Sequence, residues 1–119
     1  MIRHIVLFTA KDKDQIDEMI EGLSVLTTIP HARLLEVGRN CKTDQFGNDI
    51  DVVVYGEFDN ERELAAYRAH ELYQESISRV RPLRELRFAA DYTVSKDARS
   101  ASTAARGQVA RRLEPTGGG

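Results

Sequence analysis

The stretch MIRHIVLF at residues 1–8 decides the fold. Its side chains alternate between two faces that are both largely apolar, which is typical of a β-strand that is covered on both sides. One face of the strand carries Ile2, His4, Val6 and Phe8. The other face carries Arg3, Ile5, Leu7 and Thr9. Both faces are largely apolar, so a sheet built around this strand needs a layer of side chains on each side.

Two helical segments with recognisable starts follow this strand. Asp12 is expected to cap a helix that runs to about residue 26, with apolar residues at helical spacing. Asn60 is expected to cap a second helix, which bends near His70 and ends before Pro82. Four segments have strand character: residues 2–9, 32–39, 50–58 and 84–94. The two helices follow the first and the third of these segments. The order β-α-β-β-α-β predicts an α+β, ferredoxin-like protomer with a four-stranded antiparallel sheet.

Two helices can cover only one face of a four-stranded sheet. We assign to the helices the face that carries Ile2, Val6, Phe8, Val52, Val54, Phe58, Phe88 and Tyr92. The opposite face would then carry Ile5, Leu7, Leu34, Val53 and Tyr55, with Arg3, Asp51, Glu57 and Asp91 at its rim. An apolar patch of this extent marks an association site, so we predict a homodimer formed through the open sheet face.

The composition sets limits on partners and location. We expect one domain over residues 1–95, followed by a basic tail over 96–119. The tail is predicted to be a weak helix with a flexible glycine-rich end, and a disordered tail is the alternative. The net charge of −2 gives no general attraction to nucleic acid or to an anionic membrane. We expect no membrane span and no leader segment, and the single Cys41 suits the cytoplasm.

Three segments together resemble the stress-responsive dimeric α/β-barrel (Dabb) family: residues 1–8, DVVVYGEFD at 51–59 and LAAYRAH at 64–70. The resemblance covers about residues 1–95 and implies two sheets packed face to face in a dimeric barrel. In a plant polyketide cyclase of this family, two histidines and a tyrosine act on the substrate without a cofactor. The resemblance assigns the first-strand histidine to His4 and the tyrosine to Tyr67. The cyclase's second histidine falls at Tyr73, whereas His70 matches a different family histidine.

The candidate site is a small apolar pocket between the sheet and the second helix. We expect His4 as a general base, Tyr67 as a hydrogen-bond donor and His70 beside it, because residues three apart lie on one side of a helix. The expected substrate-binding residues are Val6, Phe8, Tyr73, Phe88 and Tyr92. We predict neither a metal nor a cofactor.

Two interpretations of this pocket remain open at this point. In the first, it binds a small aromatic or ketide-like molecule and supports proton transfer, isomerisation or cyclisation. In the second, the histidines and the tyrosine only close the core, and the protein is a non-enzymatic stress or assembly protein that acts as a dimer. A haem monooxygenase, a third class, needs an accessible proximal histidine and a far larger cavity, and the sequence supports neither.

Overall fold

The computed structural model describes residues 1–94 as one four-stranded antiparallel sheet with helices packed against one face. Its elements are β1 (Ile2–Ala10), α1 (Ile16–Ser24), β2 (Leu34–Arg39), β3 (Val52–Phe58), α2 (Glu61–Ala69), α3 (Glu71–Val80) and β4 (Arg84–Thr93). Short 3-10 turns at Lys13–Gln15 and Val25–Thr28 flank α1. The predicted α+β, ferredoxin-like fold is confirmed. The predicted tail over 96–119 lies outside the described residues.

Side-chain caps fix where the helical segments begin. The Asp12 carboxylate accepts a hydrogen bond from the Asp14 amide, and the Asn60 amide oxygen accepts one from the Glu63 amide. Each cap satisfies a backbone N–H that has no partner within the helix. His70 leaves the helix with extended backbone angles and accepts the Leu72 amide at its Nδ1, so it ends α2 and caps α3. The predicted bend near His70 is therefore present.

The sheet order β2-β3-β1-β4 places β1 in the interior and β4 at an edge. Directly paired residues share a face in an antiparallel ladder. His4 pairs with Asp91 and Val6 pairs with Ala89, so this face of β4 lies towards the helices. The core on the same side of the sheet is formed by Ile2, Val6, Phe8, Met19, Leu23, Leu26, Val52, Val54, Phe58, Leu64, Tyr67 and Val80.

The assignment of Phe88 and Tyr92 to the helix-covered face is wrong. Phe88 pairs with Leu7 and Tyr92 with Arg3, so both belong to the open face, where they are 53% and 46% exposed. The prediction placed the more apolar of the two sets of alternate β4 residues in the core. Because β4 is an edge strand, the helices cover little of its surface. Its helix-facing side can therefore carry the less apolar set Arg87, Ala89 and Asp91.

The predicted rim positions of Asp91 and Asp51 are also wrong. Asp91 lies on the helix side, opposite His4. Asp51 is fully buried just before β3, where its carboxylate accepts hydrogen bonds from the Ala10 amide and from the ammonium groups of Lys13 and Lys42. These bonds outweigh the opposing effect of burial and lower the pKa of Asp51 to about 2. The acid therefore ties the end of β1 to the start of β3.

The open face is more apolar than the sequence suggested, because β4 adds Phe88 and Tyr92 to it. The predicted members Ile5, Leu7, Val53 and Tyr55 are half-buried, and Leu34 is exposed. Over residues 1–94, no helix combines the length and the apolar character that a membrane crossing requires.

Candidate active site

A cavity of about 280 Å³ lies between the sheet and the helices, at the side where β4 forms the sheet edge. Its apolar walls include Val6, Phe8, Leu23, Leu26, Val54 and Val80. Polar side chains from four elements reach the same space: His4, Tyr67, Tyr73 and Ser76, together with three arginines near and on β4. The volume lies just below the usual range for small-molecule sites, about 300–1,000 Å³. It is far too small for a haem.

His4 is held by a carboxylate on the neighbouring strand. The imidazole is only 1% exposed, and its Nδ1 lies 2.5 Å from Oδ1 of Asp91. The other Asp91 oxygen accepts a hydrogen bond from Arg68 at 2.5 Å. The resulting chain His4–Asp91–Arg68 joins β1, β4 and α2, and it fixes the imidazole ring through its Nδ1 atom.

The surroundings of His4 favour its neutral form. Burial lowers its pKa below the usual value of 6.5, the positive charges of Arg68 and Arg87 act in the same direction, and the Asp91 carboxylate only partly offsets them. Asp91 stays ionised, because hydrogen bonds from His4 and Arg68 lower its pKa although burial opposes them. A neutral imidazole that donates its Nδ1–H to Asp91 keeps the lone pair of Nε2 free to accept a proton.

Tyr67 brings a protonated hydroxyl to the same cavity. It lies in the last turn of α2, is fully buried and packs on Phe58, with ring centroids 4.9 Å apart. Its hydroxyl has no hydrogen-bond partner among the described residues. Burial raises its pKa, with the neighbouring Tyr73 adding to the effect. The Tyr67 hydroxyl is therefore a hydrogen-bond donor, and its ring centroid lies 6.0 Å from that of His4.

The structure brings together five of the residues that the sequence nominated for the site: His4, Tyr67, Val6, Phe8 and Tyr73. It does not bring His70 to the cavity. The three-residue step from Tyr67 assumes a continuous helix, but α2 ends at Ala69, and the His70 ring is turned towards His31, with centroids 6.2 Å apart. Phe88 and Tyr92 lie on the opposite face of the sheet and do not line the cavity either.

Sequence reasoning missed two elements of the site, the Asp91 partner of His4 and the arginines Arg81, Arg84 and Arg87. The available signal was the alternation of β4, in which Arg87, Ala89 and Asp91 share a face. It could be used only if the register against β1 were known. Within residues 1–94, no three His, Cys, Asp or Glu side chains are grouped so that they could hold a metal ion.

Comparisons with known proteins agree with this architecture. The family model for the Stress responsive A/B Barrel Domain, Dabb, matches residues 2–94. No curated protein matches the chain. Among solved structures, a dimeric ferredoxin-like protein of unknown function from Thermobifida fusca YX is 27% identical, with a TM-score of 0.67 over 78% of this chain and 90% of that one.

Two further solved structures show the same fold at lower identity. A dimeric protein of unknown function from Bacteroides fragilis is 24% identical, with a TM-score of 0.61 over 78% of this chain and 95% of its own. A Dabb family protein from Mesorhizobium loti is 21% identical, with a TM-score of 0.67 over 79% of this chain and 96% of its own.

Proposed function

The chain belongs to the stress responsive A/B barrel (Dabb) family, and on that premise we propose that it is a homodimer whose protomer cavity performs cofactor-free proton transfer. The substrate is a small aromatic or ketide-like molecule with a carbonyl group. The reaction is an isomerisation or a cyclisation that begins with loss of a proton next to that carbonyl. The observation that carries this proposal is the buried pair of His4 and Asp91 beside the unpartnered hydroxyl of Tyr67.

His4 acts as the general base in this proposal. Its Nε2 takes the proton from the α-carbon, and Asp91 stabilises the imidazolium that forms. The electron pair of the broken C–H bond moves into the carbonyl, which becomes an enolate. His4 then returns the proton to another position of the substrate, or the enolate carbon attacks a second carbonyl and the proton goes to the resulting alkoxide.

Tyr67 stabilises the enolate oxygen in the same step. A donor without a protein partner has no protein hydrogen bond to break when it turns to a developing negative charge, and burial strengthens the interaction. With the two ring centroids 6.0 Å apart, base and donor can act on adjacent atoms of one molecule. Val6 and Phe8 supply apolar contacts for the remainder of the substrate.

The proposal is tested with phenylacetone as a neutral probe, by following the loss of its benzylic proton signal in D₂O. We expect exchange above the buffer rate, reduced about 100-fold or more by His4→Gln, because general bases contribute roughly 10²–10⁴-fold. His31→Gln is the matched control, since His31 pairs with Glu63 outside the cavity. Because the pKa of His4 is lowered below 6.5, the His4-dependent part of the rate should change little between pH 7 and pH 8. Equal exchange by the parent protein and His4→Gln would refute the base assignment.

The dimer proposal rests on the open sheet face. Phe88 and Tyr92 are exposed there beside half-buried apolar residues, and the Thermobifida fusca and Bacteroides fragilis proteins are described as dimeric. We expect Phe88→Glu to shift the protein from dimer to monomer in sedimentation analysis. Phe46→Glu is the control, because Phe46 is 82% exposed in a loop outside the sheet. A Phe88→Glu protein that remained dimeric would exclude this face as the interface.

The same face supports the alternative function, a non-enzymatic stress or assembly protein whose dimer is the functional unit. An absence of exchange together with a dimer that depends on Phe88 would favour that alternative. We place the protein in the cytoplasm under either function, where the exposed free thiol of Cys41 would stay reduced.

A further inference from the structure

Three arginines converge on the cavity that holds His4 and Tyr67. Arg81 follows α3, and Arg84 and Arg87 lie on β4. Arg84 is half-buried and the other two are exposed, and two of the three lie on the edge strand β4. Among residues 1–94, no aspartate or glutamate lines this cavity.

No carboxylate in the described part of the chain pairs with these arginines, and unlike other unpaired arginines there, such as Arg62, all three line one cavity. Arg33, Arg39 and Arg68 each form an ion pair with an aspartate, whereas Arg81, Arg84 and Arg87 form none with a residue of 1–94. The nearby acids have other partners: Asp91 binds His4 and Arg68, and Glu85 accepts from Thr9. Three like charges that line one cavity repel one another unless an anion compensates them.

The positive charge extends to the proposed reacting groups. Arg87 lines the same cavity as His4 and Tyr67, and its charge makes a small contribution that opposes a positive charge on His4 and partly offsets the raised pKa of Tyr67. An anionic group bound by Arg87 would therefore lie in the same cavity as the reacting part of the substrate. Guanidinium groups bind carboxylates through two parallel hydrogen bonds, which fix orientation as well as supply energy.

We infer that the ligand of this cavity is a small carboxylic acid in its anionic form. Arg84 and Arg87 hold the carboxylate, Arg81 adds charge at the opening, and the apolar part of the ligand lies against Phe8 and Leu26. This inference rests on the proposed function in that it uses the same cavity. It adds a substrate class, an aromatic or ketide-like acid, and an orientation with the acid group towards β4.

The test compares 2-naphthoate with 2-naphthamide, which have nearly the same shape and differ in charge. Titrations of the full chain are followed by NMR at 50 mM salt. We expect 2-naphthoate to bind at least tenfold more tightly than 2-naphthamide. Arg84→Gln and Arg87→Gln should each weaken 2-naphthoate at least fivefold and change 2-naphthamide less than twofold. Arg62→Gln is the matched control, because it removes the same charge from the exposed surface of α2.

Three results would overturn the inference: equal affinity for the two probes, equal losses in Arg62→Gln and Arg87→Gln, or no binding of either probe. The comparison of the two probes on the parent protein holds even if a variant fails to fold. The phenylacetone assay separates this inference from the proposed function. If the protein catalyses exchange but does not prefer the carboxylate probe, only the proposed anion preference is refuted. If binding depends on the arginines but no exchange occurs, only the proposed proton transfer is refuted.

Discussion

Replacing Tyr67 with phenylalanine should stabilise the protein while it impairs the proposed chemistry. The Tyr67 hydroxyl is buried without a partner among the described residues, and such a group costs the folded state about 1–3 kcal/mol. The ring contacts with Phe58 and Tyr73 are kept by phenylalanine. We therefore expect the free energy of unfolding to rise by about 1 kcal/mol, which corresponds to roughly 4–8 °C in Tm for a domain of this size.

Thermal melts and urea titrations at one fixed protein concentration measure this change, because dimerisation makes Tm depend on concentration. Tyr73→Phe is the stability control. Its hydroxyl is not among the buried unpartnered atoms, so its removal should change the unfolding free energy by about 0.5 kcal/mol or less. In the phenylacetone assay, Tyr67→Phe should lose about tenfold or more of the exchange rate. A loss of more than about 1 kcal/mol in Tyr67→Phe would show that the hydroxyl is satisfied in the folded state, and the donor assignment would fail.

Three further substitutions test the surroundings of the site and the core. Asp91→Asn should reduce phenylacetone exchange about 10–100-fold, because it removes the carboxylate that fixes the His4 tautomer; an unchanged rate would contradict that role. Asp51→Asn should lower the free energy of unfolding by about 2 kcal/mol at pH 7, as measured by urea unfolding. The reason is that the lowered pKa of Asp51 stabilises the folded protein when the pH is above 3.8, the pKa of this group in the unfolded chain. That contribution is lost as the pH falls through about 2, so a difference that stays constant down to pH 2 would refute it. Gly22→Ala should lower Tm although alanine favours helices, because the added Cβ would lie 2.9 Å from Cγ2 of Val80; a higher Tm would mean that α1 and α3 separate freely.

The sequence predicts the fold well because its signals are local. The alternation of β1 and the caps at Asp12 and Asn60 each depend on a few neighbouring residues. The same is true of the bend at His70, where the imidazole competes for the first amide groups of the following helix. These local preferences agree with one another, and they lead to a single βαββαβ order.

The site is less predictable because it depends on pairing between distant strands. His4 and Asp91 are 87 residues apart, and only the register of β1 against β4 makes them neighbours. A hydrophobicity pattern cannot supply that register for an edge strand, since both faces of β4 are partly exposed. The preference for the more apolar alternation therefore placed Phe88 and Tyr92 in the pocket and put Asp91 on the sheet face opposite to that of His4.

The protonation state of His4 gives the most direct test of the central claim, that Asp91 holds a neutral base in the cavity. We would measure it by ¹⁵N NMR of the imidazole across pH 4–9, with His4→Gln to assign the signals. The account predicts a pKa below 6.5 and, in the neutral form, a proton on Nδ1. A pKa above 6.5, or a proton on Nε2 in the neutral form, would contradict it, because Nε2 would then not be a free base at neutral pH.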